Sequence, residues 1–157
     1  MYVGYMGDVP FYASGALLRT PMETVRSAAS RWTDHELLLR KPVSQFVGPV
    51  LETFSFSLVL SSANGLNPLK ELGKLRAMRD NGTVFPLIIG GRPLVQNYWR
   101  LESLSEGENY YSADGRLLQT KVSVQLKEYP DDNYEENSAM ENRGRILNAI
   151  STITGGV

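Results

Sequence analysis

The chain contains no cysteine. That removes disulfides, thiol catalysis and thiolate metal sites together, and with them any disulfide-stapled secreted domain. Histidine is almost absent too. His35 stands alone, no second imidazole accompanies it, and no carboxylate spacing suggests a calcium or zinc site. A net charge of −1 over 157 residues leaves no overall field to draw in nucleic acid or an anionic lipid surface. No apolar run approaches the roughly 20 residues of a membrane-spanning helix. The opening MYVGYMGDVPFY lacks the basic-then-apolar order of a signal peptide. No repeat period is visible. Neither nucleic acid nor membrane is therefore expected as a partner, and no cofactor is expected.

What is present is the composition of an ordinary soluble domain, with enough apolar residues (42%) to bury a core. Strand patterning dominates. Residues 114–129, DGRLLQTKVSVQLKEY, alternate cleanly: Leu118, Thr120, Val122, Val124 and Leu126 on one face, Gln119, Lys121, Ser123, Gln125 and Lys127 on the other. A second two-faced strand places Glu52, Phe54, Phe56, Leu58 and Leu60 opposite Thr53, Ser55, Ser57 and Val59. Between them, Asn67 followed by Pro68 reads as a helix cap with proline at the first helical position. Leu69, Leu72, Leu75 and Met78 then form an apolar stripe, and Asp80-Asn81-Gly82 ends the helix, with Asn81 or Gly82 able to take the left-handed cap.

Residues 84–89 read as a short buried strand, Gly90-Gly91 as a hairpin turn, and a further strand runs from Leu94 through Tyr98 to Leu101. Residues 105–113, polar and then aromatic, read as a loop. In the first half, residues 3–12 form a strand interrupted by Pro10, and residues 31–39 form another, although residues 28–32 also suit a short helix. The expected fold is α+β: mainly antiparallel sheet or a partial barrel, with one packed internal helix and a C-terminal docking helix. The chain changes character at Pro130. Residues 130–137 are an acidic linker between a domain over 1–129 and a tail over 138–157. There Ser138 and Glu141 form a capping-box pattern, and Met140, Leu147 and Ile150 fall near one helical face. A lone helix of that length is marginal in water, so it is expected to dock on something.

The search for chemistry is negative. Asp34 and Glu36 flank His35 but point away from it if the segment is a strand, so His35 reads as an ordinary surface side chain. Glu102, Glu106, Glu108 and Asp114 could supply paired carboxylates, but a strand end and a loop are where solvated carboxylates are routine. Gly90-Gly91-Arg92-Pro93 lacks the lysine and helix of a phosphate loop. Asn81-Gly82-Thr83 matches a glycosylation sequon but doubles as the helix stop. Tyr98-Trp99 and Tyr110-Tyr111 could stack on a sugar or base, though core packing or a protein interface is the commoner use of such residues. What remains is a component of an assembly.

Three stretches together resemble the GpU-type tail proteins of contractile-tailed phages and related R-type bacteriocin particles. They are Arg31-Trp32 with KPVSQFVGP (41–49) and the strand after Glu52; the 72–78 helix leading through Asn81-Gly82 into Phe85-Pro86-Leu87; and Trp99 to Leu104 with Asp114-Gly115 and the closing strand. The resemblance spans roughly residues 5–129. Asn97-Tyr98 stands before Trp99 where the family usually has a glycine, and residues 130–157 have no recognised counterpart. The resemblance implies a structural role and no enzymatic activity. It implies a particle component assembled in the host bacterial cytoplasm, at the baseplate or beside the tube near the hub. The implied partners are the tail tube, the hub or LysM-type baseplate proteins, with self-association in a ring of six or three. Interface residues are then expected on the wet face of the closing strand (Lys121, Gln125, Lys127), in the 105–113 segment (Tyr110, Tyr111) and on the C-terminal helix (Met140, Leu147, Ile150). A glycan-binding module, a tail assembly chaperone and a hydrolase using the Glu106 and Glu108 carboxylates are the competing expectations.

Overall fold

The computed structural model describes residues 2–13 and 18–130. In chain order its elements are β1 (Tyr2–Met6), β2 (Val9–Ala13), β3 (Leu18–Arg19), β4 (Met22–Ser27), β5 (Ser30–Leu37), β6 (Arg40–Pro49), β7 (Thr53–Ser61), a single 3-10 turn at Ser62–Asn64, α1 (Pro68–Asp80), β8 (Val84–Phe85), β9 (Leu87–Ile89), β10 (Arg92–Pro93), β11 (Tyr98–Tyr111) and β12 (Leu117–Tyr129). Every strand pairing is antiparallel. The strands form two five-stranded sheets, ordered β10-β9-β1-β2-β3 and β4-β7-β12-β11-β8, and a separate two-stranded sheet of β5 with β6. This is the expected α+β class, but both large sheets are open, so no barrel closes. The expected acidic linker and C-terminal helix, with Met140, Leu147 and Ile150, lie outside the described residues.

The larger sheet is built on the two strands whose alternation is cleanest. Cross-strand pairs place Phe54 beside Leu126, Phe56 beside Val124, Leu58 beside Val122 and Leu60 beside Thr120. All eight are buried. Leu118 is the exception on that face and stays exposed. The pairing with β7 begins one residue later, at Gln119, so β7 does not flank it. Trp99 and Leu101 of β11 extend the same core, and the Phe11 ring of the smaller sheet meets Phe56 edge-on at 5.8 Å, joining the two sheets into one apolar cluster.

Helix α1 begins as the sequence implies: the Asn67 side chain accepts from Lys70 N–H at 3.3 Å, with Pro68 at the first helical position. At the other end Asn81 remains right-handed (φ −88). Gly82 takes the left-handed position (φ 61). Leu72, Leu75 and Met78 enter the core. Leu69, the first residue of the expected stripe, is 61% exposed. It sits in the first turn, at the mouth of a surface cleft. The helix is tied to the smaller sheet by an ion pair between Arg19 and Glu71, both nearly buried, with Arg19 also donating to the Pro10 carbonyl at 2.7 Å.

Four strand expectations need correction. Residues 3–12, expected as one strand interrupted by Pro10, are a hairpin: β1 turns at Gly7-Asp8 into β2, and Pro10 lies within β2. The apolar run 84–89 is two strands in different sheets: β8 pairs with Trp99 and Arg100, while β9 pairs with β1. Proline at 86 has no N–H to give to a ladder, and the chain crosses between sheets there. Gly90 and Gly91 (φ 63 and 76) do form a tight hairpin, but its second strand is only Arg92–Pro93. Residues 105–111, expected to be loop, continue β11 beyond the core as a paired ribbon with β12. Residues 28–32 are not helical, and β5 starts at Ser30.

Leu75→Ala should lower stability by about 2–5 kcal/mol in urea denaturation, because it leaves a cavity in a closed core. Leu69→Ala should change it by no more than about 0.5 kcal/mol.

Candidate assembly interface

The expected interface residues of β12 lie on its polar face, as the alternation requires. They are not free side chains. Lys121 Nζ lies 3.2 Å from the Glu23 carboxylate of β4. Glu23 reaches it from a bulge, with its backbone at φ 53, and its carboxyl is held below the ordinary range, first by the Ser57 hydroxyl and then by Lys121. Gln125 Oε1 accepts from Ser103 Oγ at 3.2 Å. Lys127 Nζ is 3.9 Å from Glu102. These bonds pin the polar face of the sheet flat, with Ser55, Ser57, Ser103, Ser105 and Ser123 lining a shallow trough across it.

Tyr110 and Tyr111 are exposed at the far end of β11, where they pair with Gln119 and Leu117. Tyr111 also lines a cleft of about 370 Å³ with Leu69, Arg76, Glu106, Asn109 and Leu117. Tyr98 is half exposed, whereas Trp99 is fully buried in the core. The two aromatic pairs are thus not one platform, and Trp99 is structural.

Two of the carboxylates considered for hydrolysis, Glu106 and Asp114, are each held by an arginine. Glu106 accepts two hydrogen bonds from the Arg76 guanidinium, at 2.8 and 2.6 Å. That contact holds its carboxyl below the ordinary range, against the opposing effect of burial. Asp114 is bound by Ser112 and by Arg116 Nε (2.9 Å), and its carboxyl is lowered for those reasons. A general acid needs the opposite shift, a proton retained near neutral pH. His35 is exposed, with Nε2 2.7 Å from Gln45 Oε1. Among the described residues no group of three or more His, Asp or Glu side chains could hold a metal ion. No described helix is long and apolar enough to cross a membrane.

Sequence reasoning missed the largest exposed feature. Among the described residues β5 and β6 pair only with each other and form an arm, closed at its base by Val50 N–H donating to the Ala29 carbonyl at 2.9 Å. Every residue of both strands is exposed except Gly48. On one face Trp32 and Phe46 stack edge-on at 5.2 Å, yet remain 60% and 55% exposed. The other face carries Thr33, His35 and Gln45. At the tip, Leu38 and Leu39 are 89% and 98% exposed, and Leu39 is held at φ 57. A left-handed leucine costs roughly 1–2 kcal/mol. The turn has no glycine, asparagine or proline to announce it, and without a buried face neither strand shows the usual contrast between its two sides. The available signal was the pair of aromatics, Trp32 and Phe46, in two short strands flanking a leucine run.

The described residues thus form an open-sheet body with an exposed apolar arm. Residues 11–131 match the Phage P2 GpU family, and the chain belongs to that family. Comparison with curated proteins gives no match. The family is one of phage tail proteins, so the chain has a structural or assembly role in a phage tail, and the family implies a virion component. The match includes the whole arm.

Because Arg76 stabilises the ionised form of Glu106, its folded-state pKa lies below the unfolded value of about 4.3. The contribution is complete above that pH and is lost as pH falls through the lowered value. Glu106→Gln should therefore be less stable than the parent at neutral pH, and thermal unfolding curves of the two should converge in acid. A gap that persisted into acid after the curves had levelled off would show that something other than the ion pair had been removed.

Proposed function

We propose that this protein is a structural ring component of a contractile phage tail or tail-like particle, placed at the baseplate or beside the tube near the hub, in six copies or three. The arm carries this reading. A two-stranded hairpin is marginally stable alone in water, and this one leaves two aromatics and several aliphatic side chains exposed. Such a surface is consistent with burial against other subunits of a permanent assembly, whose interfaces commonly bury roughly 2,000–5,000 Å². A ring also needs contacts that differ on the two sides of each subunit, and an arm on one side of a compact body supplies such asymmetry. The tail tube, the hub and LysM-type baseplate proteins are the proposed neighbours. Tyr110 and Tyr111, the polar face bearing Lys121, Gln125 and Lys127, and the sequence around Met140, Leu147 and Ile150 are the proposed further contacts. No catalytic step is assigned to the chain.

A second reading, binding of cell-wall glycan, is favoured by one observation: Tyr110 and Tyr111 are both exposed beside the Arg76–Glu106 cleft. Purified protein should then bind peptidoglycan and lose that binding in Tyr110→Ala/Tyr111→Ala. No binding by the parent protein would end this reading.

The ring reading is tested by quantitative mass spectrometry of purified tail particles. A copy number of about six or three against the hub and tube proteins is expected from ring closure. Absence from finished particles would overturn it and favour an assembly chaperone.

A further inference from the structure

The arm has two open edges. β5 is hydrogen-bonded on one side to β6, β6 on one side to β5, and among the described residues the outer side of each faces no other strand. We propose that arms of successive copies join edge to edge, with β6 of one copy lying antiparallel along β5 of the next, so that the ring is stitched by one annular antiparallel sheet. This deepens the ring reading above and rests on it.

Topology favours this pairing. A chain of arms ordered β5-β6-β5-β6 keeps strands alternating in direction, and each contact is head-to-tail, the kind that can close a ring. A two-fold β6–β6 pairing would leave both β5 edges open and could not propagate. Pro42 and Pro49 each remove a donor from β6, but Pro42 falls at the bulge opposite His35–Leu37 and Pro49 at the base. Residues 43–48 between them keep their N–H groups.

Charge favours it as well. Near the tip, β5 carries Asp34 and Glu36 while β6 carries Arg40 and Lys41. Among the described residues, Glu36, Arg40 and Lys41 make no ion pair, and Asp34 accepts only from the Ser44 hydroxyl. With all arms pointing the same way, the basic end of one β6 comes beside the acidic end of the next β5. Opposite charges on neighbouring strands support pairing, and like charges oppose it. The joined sheet also sorts its faces. The Trp32–Phe46 pairs line up on one side, the Thr33, His35 and Gln45 residues on the other, and the Leu38–Leu39 tips form an apolar rim. An open strand edge, a hazard in a lone chain, is then covered by the next copy.

The test uses charge reversal in a particle-producing host lacking the parent chain. Arg40→Glu/Lys41→Glu makes both strands acidic near the tip, and Asp34→Lys/Glu36→Lys makes both basic. Each variant alone should enter particles at least about tenfold less than the parent, since like charges then meet at every arm contact. Co-expressed, the two can alternate around a ring of six with every contact complementary, and incorporation should return; in a ring of three one contact stays between like variants, and the return should be partial. Unchanged circular dichroism and thermal unfolding of each purified variant show that the body still folds, since these side chains are exposed on an arm outside the core. Incorporation of either variant alone at the parent level overturns the proposal but leaves the ring standing if the parent counts as six or three. Exclusion of each variant without rescue on co-expression also overturns it, because the arm then meets another protein. Absence of the parent itself from particles would remove the ring reading and this proposal with it.

Discussion

The unbroken pairing of β12 with β7, from Gln119–Ser61 to Lys127–Thr53, is the constraint on which the rest of the body depends. It aligns four apolar or buried positions on each strand, so that one face of the central sheet becomes a continuous floor. A slip of one residue would turn every one of them to water. On that floor sit helix α1, through Leu72 and Leu75, and the smaller sheet, through Phe11. The Arg19–Glu71 pair locks the two to each other. Breaking it from one side would leave a nearly buried charge without its partner, a loss that ordinarily exceeds what the intact pair contributes.

The same register creates the opposite surface. Small serines and tethered charges give the wet face of β7, β12 and β11 a flat relief, and the ion pairs across it keep long side chains from roaming. The described residues thus divide into a body that buries most of its apolar side chains in one core and an arm that buries none of its own. On the ring reading proposed above, the body folds before assembly and the arm completes its burial against other subunits.

Legibility in the sequence followed burial. β7, β12 and α1 could be read because each has one dry side, which imposes a period of two or of about three and a half on its side chains. Leu69 and Leu118 obeyed the pattern without obeying the burial, since each stands at an end where the covering element has not yet begun. The 105–111 stretch and the arm were harder for the complementary reason. Both are strands with two wet sides, so polar and apolar residues carry no alternation to detect. The split at Pro86 was hidden because residues on either side of it are apolar for different sheets. Glu23, Leu39 and Glu108 take left-handed backbone without being residues that advertise it. Of the expected contact residues, those on β12 were placed on the right face, but their pairing with Glu23, Ser103 and Glu102 depends on neighbours distant in sequence.

The central claim is that the arm is unfinished in the isolated chain and finished in the tail. Amide hydrogen exchange, followed by mass spectrometry on the purified protein and on assembled particles, measures this directly. Peptides from β7 and β12 should be strongly protected in both states. Peptides spanning residues 30–49 should exchange rapidly in the free protein and become protected by at least about a hundredfold in the particle, as expected for amides moved from a marginal hairpin into a closed sheet. Rapid exchange of the arm in both states would contradict the account, leaving the exposed Trp32, Phe46 and Leu38–Leu39 without a role in the tail.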